Sequence, residues 1–182
     1  MYMETDYRKI KVHPLFDPIK KLFEFVIFGN GFMIMPEFQR AFLNTHPAAQ
    51  SVIDDYNKEV KLTVVGSEIH ANLQMYLIHA GRLMAIAIFD FLQFSKYHKY
   101  LSQTEIFQFA RHIRNGSAHN NKFFFDEGSK KDLLKKPVKW SDKAIDLSLA
   151  GKTVIPDFIT AFSLLYLMQD ISKIIESKQT TK

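Results

Sequence analysis

Between Asn57 and Lys96 apolar side chains return at helical steps, through Leu73, Leu77, Ala80, Met84, Ile88 and Phe91. An α-helix turns once per 3.6 residues, so steps of three and four lay these residues along one face. A half-buried strand would need alternation at every second residue, and a strand this long would be exceptional. The chain is therefore committed to a helical fold whose other elements must cover that face. Val64-Val65-Gly66-Ser67 is the segment most apt to divide the stretch into two helices.

The rest of the chain repeats the pattern with shorter elements. Asp17-Pro18 offers an N-cap followed by proline at the first helical position. Ile19, Leu22, Phe23, Val26 and Ile27 follow at helical spacing until Gly29-Asn30-Gly31 ends the run. A short helix is expected over Pro36 to Leu43, and another after His46-Pro47. Tyr97 to Leu101 reads as a connection. Ser102-Gln103-Thr104-Glu105 has the form of a capping box, with Ser102 as N-cap and Glu105 reaching back. It opens a helix with Ile106, Phe109, Ala110 and Ile113 on its apolar face, ending near Asn115-Gly116.

From Asn120 to Thr153 the character changes. Lys130, Lys131, Lys135, Lys136 and Lys139 form a basic run, read as a solvated loop or an RNA track. Val138-Lys139-Trp140, Ala144 to Leu147 and Thr153-Val154-Ile155 are short alternating runs bounded by turn residues, which predicts a β-hairpin with Trp140 packing it against the helices. Pro156-Asp157 is the expected start of a last helix carrying Phe158, Ile159, Phe162, Leu165, Leu167, Met168, Ile171 and Ile175. The expectation is an all-α bundle, one domain over residues 1–182, with a hairpin or loop insert at about 120–155 before the last helix.

Composition removes several function classes. The chain has no cysteine, so disulfide frameworks, thiolate metal sites and cysteine nucleophiles are excluded. Lysine-rich and cysteine-free, it fits a reducing cytoplasm. The charged start, Met1 to Lys9, has no apolar core and does not read as a signal peptide. Phe25 to Pro36 is too short to span a bilayer, and Met75 to Leu92 carries His79, Arg82 and Asp90, so no membrane is expected. His70 and His79 stand nine apart, which is not the one-turn spacing of a helical metal pair. No metal or other cofactor is called for. The net charge of +5 suits a polyanionic partner without specifying one.

One segment carries chemistry: Arg114-Asn115-Gly116-Ser117-Ala118-His119. Arginine, asparagine, three spacers and histidine would coincide in a chain of this composition about 0.01 times by chance. This pattern, after a strongly signalled amphipathic helix and followed later by a long apolar one, resembles the signature of the HEPN superfamily. The resemblance rests on these six residues and the order of helices. It implies a helical bundle, a metal-independent ribonuclease, and a homodimer in which two copies of the motif face one cleft. It also implies a toxin or phage-defence setting, with RNA as substrate and an antitoxin protein as a further partner.

The residue types suit that reaction. RNA is cleaved when the 2′-hydroxyl attacks the adjacent phosphate, which needs a proton acceptor, a proton donor and a cation facing the phosphorane. Histidine ordinarily titrates near neutrality and can serve as acceptor or donor. Arginine stays charged and grips phosphate oxygens as a fork. His119 is thus the candidate general base or acid, Arg114 the stabiliser of the transition state, and Asn115 a residue that orients His119 or bonds the phosphate. Arg111, Ser117, Lys130 and Lys131 are weaker candidates for substrate contact. Phe123-Phe124-Phe125 is read as core or dimer packing, with base stacking as the alternative. His112 is expected to face away from His119. Two further readings stay open: a catalytically inactive module that binds RNA, nucleotide or protein, and an ordinary basic helix end.

Overall fold

A computed structural model describes residues 9–21, 23, 24, 40, 44 and 67–179, with side chains from residue 77 onward in the last of these stretches. Of the expected helix at Pro36 to Leu43 only Arg40 is described, and it is helical; the expected helix after His46, the glycine stop at Gly29 and the break at Val64 to Gly66 lie outside the described residues. Packing divides the chain into two compact units, Met1–Lys20 with Ile78–Lys182, and Lys21–Leu77. In the second unit the described residues are helical. Everything below concerns the first unit, apart from the opening turns of the first long helix.

The described residues are mostly helical, with one small antiparallel hairpin before the last helix. In order they form α1 (Ser67–Gln93), α2 (His98–Leu101), α3 (Glu105–Ala118), α4 (Glu127–Lys135), β1 (Val138–Trp140), β2 (Lys143–Ile145) and α5 (Ala161–Gln179). None of the helices is long and apolar enough to cross a membrane.

The buried face of α1 is Met84, Ala85, Ile88, Phe89 and Leu92, with Gly81 on the same side. Phe91, expected on this face, is exposed instead, while Met84 and Ile88 are buried as expected together with Ala85, Phe89 and Leu92. Gly81 allows a close approach: a Cβ there would lie 3.2 Å from Ala161 Cβ and 3.3 Å from Ile155. α5 buries Leu164, Leu165, Leu167, Met168, Ile171 and Ile175. Each such side chain contributes about 1.5–3 kcal/mol on burial, so this face outweighs any single cap worth about 1 kcal/mol.

Several element starts differ from expectation for local reasons. The N-cap of α3 is Thr104, not Ser102. Ser102 closes α2, donating its backbone N–H to His98 O in a helical conformation, so it cannot adopt the extended backbone of an N-cap. Thr104 is extended and its Oγ1 accepts from Phe107 N at 3.4 Å. Glu105 therefore does not complete a capping box. Its Oε1 accepts from Lys139 N at 3.0 Å and pairs with Lys136 Nζ at 3.4 Å, tying α3 to the approach to β1. Asp17 is likewise helical, preceded by a 3-10 turn over Pro14–Phe16 that His13 Nδ1 caps by accepting from Leu15 N.

The lysine run is not one loop: Lys130, Lys131 and Lys135 lie in α4, Lys136 is its extended C-cap and Lys139 lies in β1. Asp126 caps α4, accepting from Ser129 N at 2.7 Å, and Ser129 and Leu133 face inward. The hairpin pairs Val138 with Ile145, Lys139 with Ala144 and Trp140 with Lys143. Ser141, at φ 55°, supplies the left-handed turn residue. Trp140 packs 5.4 Å from Phe109, ring centre to ring centre, and its Nε1 donates to Asp170 Oδ2 at 3.2 Å. Thr153 joins no hairpin strand. It makes a single bridge to Lys122. α5 begins at Ala161 rather than Pro156, because Phe158 N and Ile159 N both bond Val154 O in a turn. Thr160 Oγ1 then caps the helix through Ser163 N.

Candidate active site at the end of α3

α3 is amphipathic, burying Ile106, Phe107, Phe109, Ala110, His112, Ile113, Gly116 and Ser117. It runs through Asn115-Gly116 and ends at Ala118, so the pair expected to turn the chain is helical. Gly116 is small because its surroundings are close. A Cβ there would stand 2.5 Å from Val154 Cγ2 and 3.2 Å from Lys122 O.

The helix closes at His119, whose N–H donates to Asn115 O at 3.0 Å. One more C-terminal carbonyl is satisfied from outside: Arg82 Nε on α1 donates to Ser117 O at 2.9 Å. A guanidinium there also faces the negative end of the helix dipole. Asn120 and Asn121, at φ 53° and 60°, then reverse the chain. Asparagine tolerates this left-handed region better than most residues. The Asn121 side chain clasps the main chain of Ile155, accepting from its N–H at 3.1 Å and donating to its carbonyl. Asn121 O accepts from Val154 N, and Phe123 exchanges bonds with Lys152 O and Gly151 N, both at 2.9 Å.

The segment after the motif is thus anchored along its length, and its side chains alternate. Phe123 and Phe125 are buried, while Lys122, Phe124 and Asp126 face outward. Phe124 is 53% exposed. The exposed His119 ring lies against it, centroids 4.8 Å apart and tilted by 37°. No protein group hydrogen-bonds either ring nitrogen of His119 among the described residues.

Arg114 lies half-exposed on the side facing α1. Its Nε stands 3.6 Å from Asp90 Oδ1, an ion-pair contact too long for a hydrogen bond. Among the described residues the side chain of Asn115 makes no hydrogen bond, and its link to His119 runs through its backbone carbonyl. No hydrogen bond or ion pair joins Arg114 to His119. Five residues of helix amount to roughly 140° around the axis, which accounts for one leaning on α1 and the other on the Phe124 segment.

The weaker candidates sort by burial. Ser117 is fully buried and its hydroxyl has no partner among the described residues, so it can offer nothing to a ligand in solvent. Arg111 pairs loosely with Asp126 at 3.9 Å, and the Ser129 amide holds the Asp126 carboxyl below the usual carboxylate range. Lys130 is paired with Glu127 at 2.8 Å, and Lys131 is exposed. His112 is buried against Phe125 with its Nδ1 unpartnered. Burial, aided by the Arg111 charge, lowers its pKa to about 4, so at neutral pH it is an uncharged core residue.

Of two residues beside the motif, Asp90 was not singled out from sequence, and Phe124 was named there only together with Phe123 and Phe125. Asp90, the partner of Arg114, shows there only as a lone acid in an apolar run. Phe124 is one of three identical neighbours, and only the alternation of the segment sets it apart. Comparison with protein-family models, with curated proteins and with solved structures finds no match to this chain.

Proposed function

We propose that this chain is a metal-independent endoribonuclease of the HEPN type, acting as a toxin or defence effector in the cytoplasm. The observation that carries the reading is the end of α3. There a buried, capped helix delivers a half-exposed guanidinium and an exposed imidazole whose ring nitrogens no group among the described residues engages. In the proposed reaction the 2′-oxygen attacks phosphorus and the 5′-oxygen leaves. One imidazole takes the 2′-hydroxyl proton, another protonates the leaving oxygen, and Arg114 faces the charge that develops between them.

One chain supplies one such imidazole, so the reading requires a symmetric homodimer with two motifs at one cleft. Leu83 and Phe91, exposed on the helix that carries Asp90, support a partner surface close to Arg114. An antitoxin protein would hold the activity off. The separation of Arg114 from His119 within one chain favours a second reading, a catalytically inactive module that binds RNA, nucleotide or protein.

RNA integrity with EDTA present separates the two readings. The wild type should cleave, and Arg114→Ala and His119→Ala should each lose at least about 100-fold. Intact RNA at high enzyme concentration, or variants as active as the wild type, would leave only the binding module. A strict monomer by solution mass would remove the paired-histidine mechanism.

A further inference from the structure

We infer that Phe124 is a stacking platform for one unpaired base of the RNA, with Lys122 beside it as a phosphate contact. The inference rests on the ribonuclease reading for its ligand, but not for its geometry. Of three consecutive phenylalanines, two are buried and one is held 53% exposed. That exposure belongs to an anchored backbone rather than a free loop tip. Asn121 is tied to Ile155, Phe123 to Lys152 and Gly151, and Asp126 caps α4. An aromatic ring fixed in this way loses little freedom when a second ring lies on it, which is what a stacking site requires.

The neighbours fit a nucleotide. The His119 imidazole lies against the Phe124 ring, and Phe124 still keeps 53% of its surface in solvent. A nucleotide stacked there would lie beside His119. Lys122 lies two residues away on the same outward row, and no carboxylate pairs with it among the described residues. The one acid on the row, Asp126, faces Arg111 and the N-terminus of α4, which offset its charge.

The chemistry sets the substrate class. A base inside a duplex already has both faces stacked, so the platform takes single-stranded RNA. Every base has a π-face, so recognition is tolerant of sequence.

Fluorescence anisotropy at fixed salt tests this, using a labelled 2′-O-methyl oligoribonucleotide of about twelve nucleotides, which binds but cannot be cleaved by 2′-attack. Phe124→Ala should weaken binding on the order of tenfold, while Phe124→Trp retains it. Leu134→Ala, which trims another exposed apolar side chain, should leave binding unchanged. A duplex of the same length should bind the wild type and Phe124→Ala alike. The inference is overturned if Phe124→Ala binds the single strand as the wild type does, if duplex and single strand lose equally, or if the wild type binds neither. Phe124-dependent binding without cleavage of ordinary RNA would remove the nuclease reading and leave the platform standing. His119-dependent cleavage indifferent to Phe124 would do the reverse.

Discussion

Protonation of His112 should govern the acid stability of this fold. The imidazole is only 4% exposed, its Nδ1 has no partner, and Phe125 stands edge-on at 5.6 Å. Burial is the largest reason its pKa falls from 6.5 to about 4. The Arg111 guanidinium adds to it, while Asp126 and Asp132 pull weakly the other way. Between those two values the unfolded chain binds a proton that the folded chain refuses. Stability from this group is therefore complete above pH 6.5 and is lost as the pH falls toward 4. Going from about pH 7.5 to about pH 4.5, the loss works out at about 2.5 kcal/mol. Urea unfolding of wild type and His112→Leu at both pH values measures it as the difference between their pH dependences. Asp146, whose carboxyl is held below the usual range by hydrogen bonds from Ser148, contributes to both proteins and drops out, and Asp126, held low chiefly by the Ser129 amide, cancels apart from its small coupling to His112. If the wild type and the variant lose the same stability, or if the His112 ring titrates near its ordinary value by NMR, the burial argument is wrong.

Two further expectations concern the helix that carries the motif. Gly116→Ala should destabilise the protein by about 1–3 kcal/mol in thermal or urea unfolding, although alanine is the better helix former by up to about 1 kcal/mol. The new methyl meets the buried Val154 side chain and the Lys122 carbonyl, neither of which can swing aside. A stabilised variant would show that α3 and the 152–155 segment are not in contact. Thr104→Ala should cost about 1 kcal/mol through loss of the cap, and Ser102→Ala about 0.5 kcal/mol or less; the reverse order would restore Ser102 as the N-cap.

The limits of reading this chain from its sequence lie in particular residues. α1, α3, α5 and the hairpin were legible because each has its period written in consecutive residues. Element starts were less so. Ser102 and Thr104 both have capping side chains, and only the four-residue helix before them, absent from any periodic signal, makes Ser102 helical and leaves Thr104 as the cap. The lysine run hid α4 because its inward face is only Ser129 and Leu133, four residues apart. Phe91 was assigned to the core on spacing alone, and Phe89 and Leu92 are buried in its place.

The candidate site divides along the same line. The sequence by itself determined that arginine and histidine would stand five apart at the end of an amphipathic helix, since that follows from local order. It could not say that Gly116 is a contact rather than a turn, that Arg82 closes the helix, or that Asp90 stands opposite Arg114. Nor could it choose Phe124 from three identical neighbours. Those facts depend on residues 24 to 38 positions away in the chain meeting α3 and the segment after it, and only tertiary packing brings them there.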